Sequence, residues 1–178
     1  MPRLARLDAP GVLHPIIIRG IERRKIFRDD RDRENFLDCL GKLLLETKTA
    51  CYAWTFLENH AHFLMMTGEA SLATVMRRLL TGYVVSFNRR HKRPGHLFQN
   101  RYKSIVCQED TDLLELVRYI HLNPLRAGVV PPLAALNSYP YGGHSALMGR
   151  INRPWQEVDY VLHSFGKRAR NARKEYLA

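Results

Sequence analysis

The sequence predicts an α+β fold of ferredoxin-like type: a split β-α-β antiparallel sheet with helices on one face, plus a C-terminal helical extension. Three observations carry this. Strand-like and helix-like periodicities alternate along the chain in the order β-α-β-β-α-β-α. Two strand-like runs are separated only by Glu58-Asn59, a link so short that they must form an antiparallel hairpin. Leu72, Val75, Met76, Leu79, Leu80, Tyr83, Val84 and Phe87 keep one apolar stripe at helical spacing, the strongest periodic signal in the chain.

Taken in order, Val12 to Ile18 is rich in β-formers and closes on Arg19-Gly20, which predicts a first strand. Pro15 is awkward inside it and suggests an edge position or a bulge. After a basic loop, Arg23-Arg24-Lys25, Asp29 or Asp30 can cap a helix whose apolar face is Phe36, Leu37, Leu40, Leu43 and Leu44. Cys51 to Leu57 and His60 to Thr67 form the hairpin. Ser71 caps the helix with the long stripe. A charged segment rich in breakers, Asn88 to His96, leads to a fourth strand, Tyr102 to Cys107. Asp110 or Thr111 then caps a helix with core face Leu113, Leu116, Val117 and Ile120, which Pro124 ends or bends. From Gly128 to Pro154 the chain reads as loop. An amphipathic stretch, Trp155 to Phe165, precedes a basic tail, Lys167 to Lys174.

A chain of 178 residues is long enough for a sizeable core in one domain. Hydrophobic residues make up 46% and charged residues 25%, as in an ordinary globular protein, but 28 Lys and Arg against 17 Asp and Glu give +11. That field favours a polyanion, nucleic acid ahead of anionic membrane. No apolar run approaches the roughly 20 residues needed to span a bilayer, and Met1 to Asp8 has no continuous apolar segment of the secretory kind. Cys39, Cys51 and Cys107 are odd in number and far apart, which predicts reduced thiols rather than a disulfide or zinc framework.

Chemistry concentrates at two places. Tyr119 and Asn123 are four apart near the end of a predicted helix, so they share a face, at the edge of its apolar stripe. His60 and His62 are two apart at the start of a predicted strand, so they share a face as well. Two imidazoles, a carboxamide and a phenol make a one-metal site with a nucleophile beside it. Each has a plainer reading: a lone His-x-His on a strand is more often structural, and Tyr102, Tyr139 and Tyr141 are rival phenols without a ligand type four residues on. His121 points away from Tyr119 and reads as structural. Glu115, one turn before Tyr119, is a solvated acid or an orienting one. Arg19, Arg89, Arg90, Lys92, Arg93, Arg101 and Lys103 flank the cleft as candidate phosphate contacts, and His96, Phe98 and Tyr102 interleave with them as candidate stacking platforms or core. There is no G-x-x-x-x-G-K-[ST] loop, hence no signal for nucleotide-triphosphate chemistry.

Three blocks, in this order, carry a resemblance: Asn59-His60-Ala61-His62-Phe63-Leu64, Gly95-His96-Leu97-Phe98-Gln99-Asn100-Arg101-Tyr102-Lys103, and Arg118 through Asn123-Pro124 to Gly128. With Arg19-Gly20 and Ile26-Phe27, they resemble the Y1 HUH transposases of the IS200/IS605 group, and among these the REP-associated tyrosine transposases. The resemblance spans residues 10–150 as the transposase domain and leaves 151–178 as a C-terminal amphipathic helix and basic tail. Pro15, Glu58 and Asn100 depart from the family pattern, none at a catalytic position.

The resemblance implies an HUH-endonuclease fold and a transposase that cuts single-stranded DNA beside a hairpin. Tyr119 would attack a phosphodiester to leave a 5′-phosphotyrosine and a free 3′-hydroxyl, while His60, His62 and Asn123 hold a divalent metal ion. A phenol with a pKa near 10 is a weak nucleophile unaided, and a cation would polarise the phosphate. Mg²⁺ prefers oxygen and Mn²⁺ tolerates imidazole, so Mn²⁺ is expected to serve well in vitro; zinc would bind the same donors. The phosphotyrosine conserves the bond energy, so rejoining needs no ATP. The implied partner is single-stranded or hairpin DNA, the implied location the bacterial cytoplasm at the nucleoid, and the implied assembly a monomer in preference to a homodimer. The alternative is a catalytically idle binder of hairpin DNA or RNA on the same fold. Replication initiators and relaxases share the histidine pair but place the tyrosine differently.

Overall fold

The computed structural model describes residues 13–99, 102–104, 111–129 and 133–177. Its sheet comprises β1 (Leu13–Arg19), β2 (Ala50–Phe56), β3 (His60–Met66) and β4 (Lys103–Ser104), ordered β2-β3-β1-β4 with every neighbouring pair antiparallel. Helices α1 (Asp30–Thr47) and α2 (Leu72–Arg90) make the two split β-α-β crossovers. Both start as their sequences require: Asp29 accepts from the Asp32 amide at 3.0 Å and Ser71 from the Thr74 amide at 3.1 Å. This is the predicted fold class. The fourth predicted strand continues past Ser104 into residues outside those described, as does the candidate contact Arg101.

Alternation along β3 divides the protein into two cores. Ala61, Phe63 and Met65 point to one face, where they join Ile16 and Ile18 of β1, Trp54 and Phe56 of β2, and the apolar stripes of α1 and α2. Phe36 is fully buried there, with ring centroids 5.6 Å from Phe27, 5.2 Å from Phe56, 6.0 Å from Phe63 and 4.9 Å from Tyr83. Leu64 points the other way, into a second core with Tyr52 and Ala53. Those two adjacent residues can share a face because the β2–β3 register shifts between Cys51 and Ala53.

The second core corrects one expectation. Helices α1 and α2 cover one face; α3 (Thr111–His121) packs Leu113, Val117 and Ile120 on the opposite side, together with α6 (Gly143–Leu147), α7 (Val158–His163) and α8 (Ala169–Leu177). A sheet apolar on both sides needs cover on both. A short α4 (Asn123–Arg126) follows α3, the stretch read as loop contains α5 (Leu133–Leu136) and α6, and the stretch read as a basic tail is α8, anchored by buried Ala172 and Tyr176. Pro15 also differs from expectation: β1 is an inner strand, and its register with β3 runs through Pro15↔Leu64 without a shift.

The outer edge of β2 is covered by later chain. Phe56 N–H donates to the Tyr141 carbonyl at 2.8 Å, Glu157 N–H to the Cys51 carbonyl at 2.9 Å, and Trp54 Nε1 to Gln156 Oε1 at 2.8 Å. Among the described residues no helix is long and apolar enough to cross a membrane.

Phe36→Ala is expected to lower the unfolding free energy by about 3–5 kcal/mol, as for a large aromatic removed from a packed interior. Urea titration measures it; a loss under about 1 kcal/mol would mean the four-ring cluster is not packed as described.

Candidate active site

The β3 period that sends Phe63 into the first core turns His60 and His62 toward α3. Their ring centroids lie 5.1 Å apart at 76°. His62 is only 6% exposed, and burial, then His60 and the Arg19 cation, lower its pKa to about 4. Burial, then Arg19, lowers His60 too. Both imidazoles are therefore neutral at pH 7, with a lone pair to offer.

His60 has its tautomer set by its neighbour. Its Nδ1 lies 2.7 Å from Asn59 Oδ1, while Asn59 Nδ2 donates to the Arg23 carbonyl at 3.4 Å. That orientation makes the Asn59 oxygen an acceptor, so His60 Nδ1 carries the hydrogen and Nε2 the lone pair. The Arg23 carbonyl belongs to a tight turn in which Glu22 and Arg23 are both left-handed, at φ 53° and 59°. Gly20 is required at its entry, because a Cβ there would sit 1.9 Å from the Arg24 carbonyl oxygen.

Tyr119 comes from α3 to the same face. Its ring lies edge-on to His62 at 6.2 Å and 86°, and it is 49% exposed. Arg126, which the sequence reading did not single out, places its guanidinium carbon 5.0 Å from the Tyr119 ring centroid. The helix breaks at Leu122, ahead of Pro124, yet Leu122 remains right-handed and the backbone bonds Leu122 N to Arg118 O (2.9 Å) and Arg126 N to Leu122 O (3.1 Å) continue across it. Asn123 is half-buried there, and its Nδ2 is buried with no hydrogen-bond partner among the described residues.

The rival phenols are engaged elsewhere. Tyr139 donates to the Phe56 carbonyl at 2.9 Å, Tyr141 to Glu34 at 3.2 Å, and Tyr102 is buried. Glu115 is exposed. Of the seven cations suggested for phosphate contact, register places two on this face. Arg19 stands opposite His60, and Lys103 opposite Ile17, which itself stands opposite His62. Arg90 is engaged within the protein: its guanidinium holds Asp29 at 2.5 Å and the buried carboxylate of Asp32 at 2.7 Å, tying α2 to the start of α1. Arg93 donates to Asn88 Oδ1 at 3.1 Å and the His96 carbonyl at 2.5 Å. Arg89 belongs to the end of α2, a helix on the other face, and Lys92 to the turn just after it. Phe98 packs on Tyr83 at 6.3 Å and lines a groove of about 920 Å³ beside α2, away from the histidines.

A clamp behind Tyr119 was not legible in the sequence. Arg118 donates to the carbonyls of Tyr176 (3.2 Å) and Glu175 (2.8 Å), with Phe165 under its guanidinium at 4.9 Å. The Tyr176 hydroxyl lies 3.2 Å from His121 Nδ1 and 3.0 Å from His144 Nδ1, and His144 Nε2 lies 2.7 Å from Asn137 Oδ1. The chain of donors has one consistent order. His144 Nε2–H donates to Asn137, the Tyr176 hydroxyl to His144 Nδ1, and His121 Nδ1–H to the Tyr176 oxygen. Gly143 is needed beside it, since a Cβ would lie 2.5 Å from His121 Nε2. The neighbours of Tyr119 in sequence, not Tyr119 itself, thus fix the helix to α8.

No group of three His, Cys, Asp or Glu side chains among the described residues could hold a metal. A cation on the histidine pair would accordingly need the Asn123 carboxamide. The donor chemistry fits in kind: two neutral imidazoles, one with its tautomer fixed, and the half-buried Asn123 carboxamide, whose oxygen would be the ligating atom.

With this geometry in hand, comparison with known proteins places the molecule. The family model for IS200-like transposases matches residues 12–123, more than half of the chain, and the chain belongs to that family. Among solved structures, a REP-associated tyrosine transposase bound to a REP hairpin has the same fold, with a TM-score of 0.68, 17% identity, and coverage of 89% of this chain and 93% of that one. The tRNA(His) guanylyltransferase of Saccharomyces cerevisiae aligns at a TM-score of 0.48 and 10% identity, covering 99% of this chain and 80% of that one. No curated protein sequence matches it.

Burial lowers the His144 pKa to about 4, whereas the unfolded chain titrates at the ordinary value of 6.5. Between those values the unfolded state binds the extra proton, so stability falls as pH falls, by about 2 kcal/mol from this residue at pH 5. Urea titrations at pH 7 and pH 5 should show the loss, and His144→Gln should shrink it; an undiminished loss in that variant would remove His144 as its source.

Proposed function

We propose that this transposase is a metal-dependent single-strand DNA endonuclease and strand transferase that cuts beside DNA hairpins, with Tyr119 as nucleophile. The observation that carries the reading is the exposed Tyr119 ring standing edge-on to His62, itself 5.1 Å from His60. The remaining tyrosines with described side-chain bonds point their hydroxyls at protein acceptors; Tyr119 has its ring at the surface, beside neutral imidazoles.

In this reading the Tyr119 oxygen attacks phosphorus, the bond from phosphorus to the 3′ oxygen breaks, and the phenol proton passes to solvent. The phosphate stays on Tyr119 at the 5′ end of one fragment, and the other leaves with a 3′-hydroxyl. Reversal with a new 3′-hydroxyl gives strand transfer. His60 Nε2, His62 and Asn123 would hold a divalent ion, Mg²⁺ or Mn²⁺, whose chemistry is to polarise the scissile phosphate. Arg126 fixes the phenol ring and adds positive charge where the phosphate must arrive, and Arg19 and Lys103 extend that charge along the sheet. Asn59 presents His60 Nε2 by holding Nδ1. The 17% identical neighbour was bound to a REP hairpin, which suggests that substrate class here too. A monomer, residues 10–150 as the transposase domain and a cytoplasmic site of action belong to the same reading.

The test is a labelled single-stranded oligonucleotide carrying a hairpin, incubated with Mn²⁺. Wild-type protein should form a covalent adduct that chelation suppresses and Tyr119→Phe abolishes, with His60→Ala and His62→Ala down at least about 100-fold. Binding without adduct under every metal tried would instead establish a catalytically idle binder. Asn59→Ala should weaken Mn²⁺ binding, read by calorimetry without DNA, by about 10–100-fold. Unchanged affinity would leave Asn59 a turn residue only.

A further inference from the structure

We propose that the outward face of α8, with Lys167, Arg168, Arg170 and Lys174, is a second nucleic-acid surface that takes the phosphates of the hairpin's double-helical stem; it rests on the DNA-binding reading above. The first observation is an asymmetry in how charge is compensated. Every ion pair among the described residues lies between Glu22 and His91, where Arg24, Lys25, Arg33, Lys48, Arg78 and Arg90 each meet an acid. Residues 111–177 form none among those described. Some cations there have structural duties: Arg118, Arg153 and Arg173 donate to backbone carbonyls, and Arg126 covers Tyr119. Lys167, Arg168, Arg170 and Lys174 are exposed, and their side chains make no hydrogen bond or ion pair among the described residues.

The second observation is where these charges stand. The inner stripe of α8 is Ala172 and Tyr176, buried against α3, so Arg170 and Lys174 lie on the opposite side of the helix, one turn apart. Like charges at that spacing repel. Lys167, Arg168 and Arg170 also crowd the start of α8, the positive end of its dipole, and no acid occupies its first turn. The charges at the start therefore oppose the dipole, whereas Lys174 in the last turn agrees with it. An anion arriving from outside relieves both repulsions.

The third observation selects the kind of anion. Unpaired strands are gripped by stacking on aromatic rings, but the one aromatic residue from Lys167 onward, Tyr176, is buried. The outer face therefore offers charge without a stacking surface, which suits a duplex backbone. Its position fits as well: α8 is fixed to Arg118 and His121, on either side of the nucleophile, through Tyr176 and Glu175. Cleavage needs an unpaired strand at Tyr119, and a stem next to that strand would reach α8.

The experiment compares full-length protein with a K167Q/R168Q/R170Q/K174Q variant, each in the Tyr119→Phe background to prevent cleavage. Affinity is measured against salt for a DNA hairpin of arbitrary stem sequence with an unpaired 5′ flank, and for the flank alone. For the hairpin, the slope of log affinity on log salt should fall by about 3.6 in the variant, or about 0.9 for each phosphate that is no longer neutralised. The flank's slope should not change, and the thermal midpoint should hold or rise as the repulsions disappear. Lys48→Gln, in a salt bridge with Glu69 beyond α1, is the control and should leave the hairpin slope intact. An unchanged hairpin slope, or an equal drop for hairpin and flank, overturns the stem assignment. Should wild-type protein fail to form any adduct while this slope difference holds, the nuclease reading fails and the surface stands.

Discussion

Each residue of β3 answers to one of two cores, and its two-residue period links packing to chemistry. Ala61, Phe63 and Met65 are held by the aromatic cluster of α1 and α2, so His60, His62 and Leu64 have no choice but the other side. A slip of one residue would drive two imidazoles among Phe27, Phe36 and Phe56 and send Phe63 to the face of Tyr119. The energy that keeps the histidines in place therefore comes largely from residues that never approach the site. The same logic fixes the row across the sheet, in which Thr55, His62, Ile17 and Lys103 stand side by side.

Tyr119 is placed by a different device. Tyr119 lies half in solvent and contributes little to packing, but Val117 and Ile120 are buried and Arg118 and His121 are tied to the last helix. The phenol, which the proposed mechanism needs free, is thereby aimed without being gripped. The clamp works because Tyr176 is kept as a phenol, its pKa pushed up by burial, and because His121 and His144 are kept neutral by burial. Three polar groups taken out of water are tolerable only because each finds a partner in one ordered chain.

Local spacing made the strands, the first three helices and the shared face of His60 and His62 readable, because each depends on a period of two or near four residues. What could not be read depends on contacts between distant segments. Arg90 has the same composition signal as any phosphate-binding arginine; only the fold shows Asp29 and Asp32 waiting for it. The run Lys167 to Lys174 is so polar that Ala172 and Tyr176 alone betray its buried stripe, too little to predict a helix against a second core. Arg126 escaped notice for a similar reason, since its meaning lies in a ring seven residues back across a helix break. Pro15 misled because a proline argues against an inner strand in general, whereas the β1–β3 register tolerates this one.

The covering of β2 has a consequence beyond this molecule's own folding. A bare terminal strand is a template on which another chain can lay its backbone, the first step toward fibres. Here the Tyr141 carbonyl and the Glu157 amide already occupy that rim, and the Trp54 indole is latched to Gln156 beside it. A protein rich in β-branched and aromatic strands is thus protected from polymerising side by side, and only after Tyr141 and Glu157 peel away would that rim become sticky.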